Sequence, residues 1–463
     1  MAEARTGLLS RLARGAASGV SAFGFSHGVH PPEHKELTAH IPIRRMPYPD
    51  EVVLPLRQHA GNPARLVVAK GQHVERGDVL AVADGWVSSP VHASAAGWVS
   101  DVDWAPHPDG SMCMAVRIRV ERYSAQVARP RLVPDWHGLT RDEVLRAVQN
   151  AGVVGLGGAA FPTHVKLQPP ADARIDTLVI NGAECEPYLT TDHRTMVEYP
   201  QRVHFGVRIM MHALGVQRAV IGVERNKPDA IEALERTRPT DIDVTVLPLT
   251  VKYPQGAEKM LLKAVLDREV PSGMLPATVG AIVQNVASVA TLAEVFETGL
   301  PLVERIVTVS GPGVVRPANL IVPVGTLTRD VLTFCGGLTD DAAEVLFGGP
   351  MMGTALASLD VPVLKGTTGI VVLTHAEVRD QLAMPCIHCG RCLEACPMFL
   401  NPSLLGDLAR ADRLEEMRAA HLADCMLCGS CSYVCPSNIP LAQLFTASKA
   451  ALRRQATATK GAV

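Results

Sequence analysis

Two cysteine runs near the C-terminus constrain this chain more than anything else in it. The first reads Cys386-Ile-His-Cys389-Gly-Arg-Cys392-Leu-Glu-Ala-Cys396-Pro397, the second Cys425-Met-Leu-Cys428-Gly-Ser-Cys431-Ser-Tyr-Val-Cys435-Pro436. Each has the spacing C-x-x-C-x-x-C-x-x-x-C-P, the run that holds paired [4Fe-4S] clusters, with the fourth cysteine serving the other cluster. Three thiolates two residues apart wrap one cubane, and Gly390 or Gly429 allows the tight turn around it. The spacing therefore assigns Cys386, Cys389, Cys392 and Cys435 to one cluster and Cys425, Cys428, Cys431 and Cys396 to the other. The competing readings are a structural zinc site and a disulfide framework. Zinc usually takes four ligands in two C-x-x-C pairs and needs neither the third cysteine nor the C-P ending.

Composition narrows the class. At 463 residues the chain has room for about three or four domains. The content is 47% hydrophobic and 19% charged, the profile of a soluble globular protein. A net charge of −2 offers no global basic field for nucleic acid. Of the 11 cysteines, only Cys113, Cys185 and Cys335 lie outside the runs, which argues for metal chemistry in a reducing compartment rather than disulfides. No stretch approaches the ~18 apolar residues of a membrane span. Met1 to Phe25 is too broken by Arg11 and Arg14 for the apolar region of a signal peptide. Leu8, Leu9 and Leu12 can share one face of a short helix, so residues 1–26 read as a frayed tail or a docking peg for a partner.

Residues 27–130 read as a β domain. Pro31-Pro32 and Pro47-Tyr48-Pro49 cannot continue a helix, and Val52-Val53-Leu54 and Leu66-Val67-Val68 are short apolar runs between glycine turns. Val68 to Val99 resembles a biotinyl/lipoyl-type barrel sandwich. With no lysine between Gly71 and Val120 to carry a swinging arm, the module is expected to be structural or docking. Residues 131–300 change period. Val144, Leu145 and Val148 lie on one side of a helix over Thr140 to Ala151. The runs Thr177–Ile180, Ala219–Val223, Val244–Leu247 and Ala281–Val283 then alternate with helical patterns, which predicts a Rossmann-like three-layer α/β domain with a mostly parallel sheet. Residues 301–358 return to short strands and predict a small α+β module of β-grasp type. Residues 359–450 form a helical ferredoxin-like domain, with one helical stretch from Pro402 to Leu422 between the runs, and 451–463 a tail.

A second chemical constellation lies in the α/β region. In Gly155-Leu-Gly157-Gly158-Ala-Ala160-Phe161-Pro162-Thr-His-Val-Lys166, the residues Gly155, Gly157 and Ala160 match G-x-G-x-x-G/A. Here a helix precedes the loop and Pro162 follows it, so the match to a dinucleotide turn is weak by itself. Glycines nevertheless let backbone N–H groups approach a phosphate or flat ring, and Lys166 supplies a cation. The alternative is a purely structural glycine loop. Asn181-Gly-Ala-Glu184-Cys185-Glu186-Pro-Tyr188 follows the strand at Thr177–Ile180, at the end where open α/β sheets bind ligands. Glu184 and Glu186 suit the hydroxyls of a ribose or ribityl chain, the alternative being an exposed acidic turn. Cys185 reads as a small buried residue rather than a redox thiol.

These two stretches resemble the flavin- and NADH-binding subunit family of respiratory complex I. The full order is similar to the RnfC family of the Rnf ion-translocating electron-transport complexes: His30-Pro-Pro-Glu33, sandwich, glycine loop, small β module (SLBB-like) and doubled cysteine run. The resemblance implies FMN contacts from Gly155, Gly157, Lys166, Asn181 and Asn285, and NADH contacts from Gly158, Phe161, Glu184 and Glu186. Tyr253-Pro-Gln-Gly256-Ala257-Glu258 is similar to a Y-x-x-G-E-E motif, so Tyr253, Gly256 and Glu258 would line the flavin or nicotinamide. Ala183 and Ala257 depart from the acidic residues of the complex I family. The implied activity is hydride transfer from NADH to non-covalent FMN, then single electrons through two [4Fe-4S] clusters to a neighbouring iron–sulfur subunit. The implied partners are integral membrane subunits and ferredoxin or flavodoxin, at the cytoplasmic face of the bacterial inner membrane. Two other readings remain: a soluble cobalamin reductase of the microcompartment type, in which the glycine loop comes early and the sandwich late, and a non-catalytic iron–sulfur electron wire without flavin.

Overall fold

The computed structural model describes residues 23–127, 136–378 and 381–461, with side chains described as far as Gln455. Leu8, Leu9 and Leu12, and with them the docking-peg reading, lie outside the described residues. Two compact units emerge. The larger takes Glu33–Pro248 and Gly280–Val378; the smaller gathers residues up to Pro32, Leu249–Val279 and the C-terminal chain.

The larger unit contains three sheet systems. The first is a pair of small antiparallel sheets. One orders Glu51–Pro55, Met112–Val120, Gly97–Pro106 and His73–Val74; the other orders Arg65–Leu66, Val79–Val82 and Val91–His92. Inward residues such as Val52, Leu54, Leu80 and Ile118 are fully buried and close one apolar core. This is the barrel-sandwich arrangement: short strands that bury an apolar face only by stacking two sheets.

The second system is a four-stranded sheet in the order Asp243–Leu249, Arg218–Glu224, Thr177–Gly182, Ala281–Asn285. Thr177–Gly182 pairs in parallel with both its neighbours, setting Asn181 beside Gly222 on one side and Asn285 on the other. Leu178, Val179 and Ile180 are fully buried, as a strand covered on both faces requires. The helix expected at Thr140–Ala151 runs Arg141–Asn150. It starts with a capping box between Thr140 and Glu143 and buries Val144, Leu145 and Val148.

The third is a six-stranded sheet in the order Ile43–Arg45, Ala318–Pro323, Glu304–Ser310, Gly369–Thr374, Ala342–Phe347, Thr354–Ala355. It reaches beyond the 301–358 span read from sequence. Ile43–Arg45 forms an edge, and Gly369–Thr374 lies in the middle, parallel to Glu304–Ser310. Both additions cover strand edges that would otherwise be unpaired, and neither Ile43-Arg44-Arg45 nor the apolar Gly369–Thr374 signals its distant partner.

In the smaller unit, short helices surround Leu405, Leu408, Met417, Leu422 and Phe445, against which several of the run cysteines pack. The single helical stretch expected over Pro402 to Leu422 is instead two helices, Pro402–Arg410 and Leu414–Ala419, then a single 3-10 turn at Leu422–Asp424. Asp412 sits between them at φ 53°, a left-handed conformation that a continuing helix does not tolerate. The expected tail from 451 is also different: the last helix spans Leu441–Gly461. Leu249–Val279, which the sequence reading ran continuously within the 131–300 domain, groups with this unit.

Candidate functional site

The glycine loop sits against a strand end. A Cβ added at Gly157 would stand 3.3 Å from the side chain of Asn285, the last residue of the edge strand. Gly158 has φ +104° and nothing within 4 Å of its absent Cβ, so the loop presents bare backbone to open space. The Gly155 N–H donates to the Phe161 carbonyl at 2.8 Å, which closes the loop. Lys166 ends the short helix Thr163–Lys166 and donates to the Val283 carbonyl at 3.2 Å. Gly155, Gly157, Phe161, Lys166, Asn181 and Asn285 thus gather around the C-terminal ends of two parallel strands, the usual ligand position of an open α/β sheet.

The acidic turn next to them is less free than the sequence suggested. Glu184, at φ 49°, accepts from the backbone N–H groups of Asp192 at 2.7 Å and His193 at 3.1 Å, and from the Thr191 hydroxyl at 3.2 Å. Its carboxylate caps the helix Thr191–Glu198, whose N-cap residue Thr190 makes no side-chain cap bond of its own. Glu186 points to the β-grasp module and accepts from the Met351 N–H at 3.1 Å. Asn285 donates to Asp192 at 2.6 Å and its amide oxygen caps the helix Val286–Thr298.

Several buried charges, which no sequence pattern marked, hold this region. Asp192 is pushed up to about 7, first by burial and then by the Glu184 charge. Arg305 is buried and donates to the carbonyls of Leu156 at 2.6 Å and Thr367 at 3.0 Å; burial lowers it to about 10. Lys227, paired with Glu224 at 3.1 Å, donates to the Ala183 carbonyl, while Lys35 donates to those of Glu186 and Leu189. Burial pulls Lys35 down. Three carbonyls of the acidic turn and its flank are therefore held by two buried ammonium groups.

Whether these residues fit a flavin can be judged from the bare backbone at Gly158 and from an orphaned amide. Gln284, 1% exposed in the strand before Asn285, has an Nε2 with no hydrogen-bond partner among the described residues. A buried unpaired amide costs ~1–3 kcal/mol, so a polar group of a bound ligand is a fitting partner. In the smaller unit Gln255, fully buried inside the Tyr253–Glu258 stretch, has both amide atoms unbonded among the described residues. Glu258 opens the helix Glu258–Leu266, and Gly256 is half-buried in the loop before it.

The cysteines of the smaller unit divide between two cavities. Cys386, Cys389, Cys392 and Cys435 line one; Cys396, Cys425, Cys428 and Cys431 line the other. The two halves repeat one backbone course. Gly390 and Gly429 have φ 77° and 78°, and His388 matches Leu427, and Phe399 matches Asn438, in the left-handed region. These turns point three sulfurs of each run inward and send the fourth to the other cavity. Burial, and then the neighbouring cysteines, push the Cys431 thiol up; burial does the same to Cys392, Cys396 and Cys425. Such thiols ionise when a cationic metal centre takes the place of the proton, so the donor set fits an iron–sulfur cluster.

Four family matches follow the chain. They are the RnfC barrel sandwich hybrid domain over residues 23–122, the Nuo51 FMN-binding domain over 148–294, the SLBB domain over 306–355 and the 4Fe-4S dicluster domain over 383–439. Relatives match over most of the chain. The chain is similar to the C subunit of the proton-translocating ferredoxin:NAD(+) oxidoreductase complex of Clostridium ljungdahlii, at 45% identity over 85% of this chain and 86% of that one. It is 41% identical to the C subunit of the Na(+)-translocating ferredoxin:NAD(+) oxidoreductase complex of Acetobacterium woodii, over 86% and 90%. It is also 41% identical to the C subunit of the ion-translocating oxidoreductase complex of Rhodobacter capsulatus, over 94% and 84%.

Proposed function

The chain belongs to the RnfC family, the C subunits of ion-translocating oxidoreductase complexes, and from that footing we propose that it is the peripheral subunit that oxidises NADH for such a complex. FMN supplies hydride acceptance with release of single electrons, and two [4Fe-4S] clusters supply one-electron carriage. The chain's own part is to hold and orient. Gly155, Gly157 and Gly158 offer backbone N–H groups, Lys166 adds a cation, and Asn181 and Asn285 flank the flavin at the strand ends. Phe161, Glu184 and Glu186 take the nicotinamide nucleotide. Cys386, Cys389, Cys392 and Cys435 hold one cluster; Cys425, Cys428, Cys431 and Cys396 hold the other.

The observation that carries the reading is the grouping of eight cysteines around two cavities, three from one run and one from the other in each. The partners are the integral membrane and iron–sulfur subunits of the complex, with ferredoxin or flavodoxin beyond them. No helix among the described residues is long and apolar enough to cross a membrane. NADH is a nucleotide of the cytoplasm, so we assign the protein to the cytoplasmic face of the bacterial inner membrane. The relatives are named for protons in one case and Na+ in the other, at similar identity.

The test is Gly157→Val. A branched side chain there meets Asn285 and fills the space in front of the loop. The expected product is folded protein with unchanged iron, little FMN and no NADH-driven reduction of ferricyanide. Lys166→Ala should keep part of the activity and regain more with added FMN. A Gly157→Val protein that retains FMN and oxidises NADH normally would make the loop structural only.

A further inference from the structure

The barrel sandwich and the glycine loop lie in one compact unit, and the sandwich grips the loop at two points. The Ala60 N–H donates to the Ala160 carbonyl at 3.1 Å. Ala160 stands at φ 47°, a left-handed position that an alanine keeps only where its surroundings hold it. Further along, His164, 1% exposed, donates from Nε2 to the Trp86 carbonyl at 3.1 Å. The Trp86 and His164 rings also meet edge to face, with centroids 5.4 Å apart and planes at 86°. The turn that carries Trp86 is tied down in its own domain. The Asn62 N–H donates to the Val87 carbonyl at 3.0 Å, and the Asn62 side-chain amide to the Asp84 carbonyl at 3.2 Å. Trp86 is thus fixed beside the loop, yet it is 52% exposed. The loop has two flanks. At Gly157 it meets Asn285 and the strand ends; at Ala160 and His164 it meets the sandwich. Between them Gly158 presents bare backbone, with nothing within 4 Å of its absent Cβ.

We infer that Trp86 is a nucleotide-binding residue whose open ring stacks on the adenine of NADH, so that the barrel sandwich supplies part of the substrate site. The inference rests on the proposed function, which puts the flavin at the strand ends. A nicotinamide that reaches the flavin there lies on the Gly157 flank of the loop. The pyrophosphate then crosses the bare backbone at Gly158, where no side chain stands in its way. The adenosine half comes down on the other flank, beside Trp86. Adenine is a flat ring, and it gains most from a large aromatic face that is already held in place. The bonds of Trp86 and Asn62 hold that face before any nucleotide arrives. An indole that only filled the junction between sandwich and loop would bury its ring there. No bond forms or breaks at Trp86; its part is affinity for the adenosine half, not the hydride step.

The experiment compares NADH with reduced nicotinamide mononucleotide, which has the same nicotinamide but no adenosine half, as reductants of the full-length holoprotein. Trp86→Ala, checked for its FMN and iron content, should raise KM for NADH about tenfold, the scale of one base stacked on an aromatic ring, with a far smaller effect on kcat. Its effect on the mononucleotide should be several-fold smaller than its effect on NADH. Trp86→Phe keeps a flat ring and should recover most of the loss. Binding is also read without turnover: ADP-ribose should quench tryptophan fluorescence in the unaltered protein and markedly less in Trp86→Phe. An unchanged KM for NADH in Trp86→Ala overturns the inference. So does an equal loss with NADH and the mononucleotide, which would mean that the indole only shapes the loop. Should Trp86→Ala lose its FMN, the quenching comparison with Trp86→Phe decides, and equal quenching in the two proteins overturns the inference. If NADH does not bleach the flavin of the unaltered protein, the proposed function fails and this inference falls with it; a failure seen only in the Trp86 variants falls on this inference alone.

Discussion

Lys365 is 1% exposed and donates to the carbonyls of Pro90 at 2.7 Å and Gly152 at 2.8 Å. Burial lowers it to about 7 from 10.5. A neutral amine keeps two N–H groups, enough for these two carbonyls. Between pH 7 and 10.5 the unfolded chain holds this proton and the folded chain does not, so stability rises with pH across that window. The ceiling of the effect is on the order of a few kcal/mol. Lys365→Met should therefore flatten the rise in melting temperature between pH 7 and 9, whatever it does to stability at one pH. An unchanged slope would mean that the ammonium form persists in the folded state. The same carbonyl-holding pattern recurs at Arg305, Lys227 and Lys35, all around the glycine loop and acidic turn.

At the scale of elements, the helix Thr191–Glu198 depends on a cap from outside itself. Glu184 lies seven residues before Thr191 and reaches back because its own left-handed backbone turns the chain. Glu184→Ala should cost about 1–2 kcal/mol in urea unfolding, the usual value of a lost N-cap. Glu184→Gln keeps one acceptor oxygen and should recover a good part of it. Comparing the two for NADH affinity separates the cap from any contact with nucleotide: a loss of affinity in both, with stability recovered in Glu184→Gln, assigns the charge to the ligand. The cysteine loops are a second case. Their paired left-handed positions, from His388 and Leu427 to Phe399 and Asn438, form one element used twice.

At the scale of the whole molecule, the proposed crossing of the fourth cysteines would make each cluster depend on the other's run. Anaerobically prepared protein should hold about eight irons per chain, from two cubanes. Cys435→Ala should damage the cluster shared with Cys386, Cys389 and Cys392, although Cys435 belongs to the second run. Selective loss of the cluster at Cys425 would overturn the pairing. Metal binding and folding are linked in such domains, so the variant should also lower the unfolding temperature of the smaller unit.

What the sequence determined by itself is what short spacing can encode. The cysteine runs specify a backbone course through local turns, and the cavities group the same eight residues that the spacing pairs. The capping box at Thr140 and Glu143 and the apolar period of Val144, Leu145 and Val148 predict their helix for the same reason. The β character of the first domain follows from short apolar runs between turn residues, and the parallel sheet from strand runs that alternate with helical patterns. Tertiary structure alone decided the rest. Only folding joins Ile43–Arg45 and Gly369–Thr374 to one sheet, since a strand edge does not name its partner. The association of Leu249–Val279 with the cysteine unit and the Tyr253 bond to Cys428 are likewise contacts between distant residues. So are the buried cations that hold the acidic turn, because a lone lysine in sequence looks the same whether it ends in water or on a carbonyl.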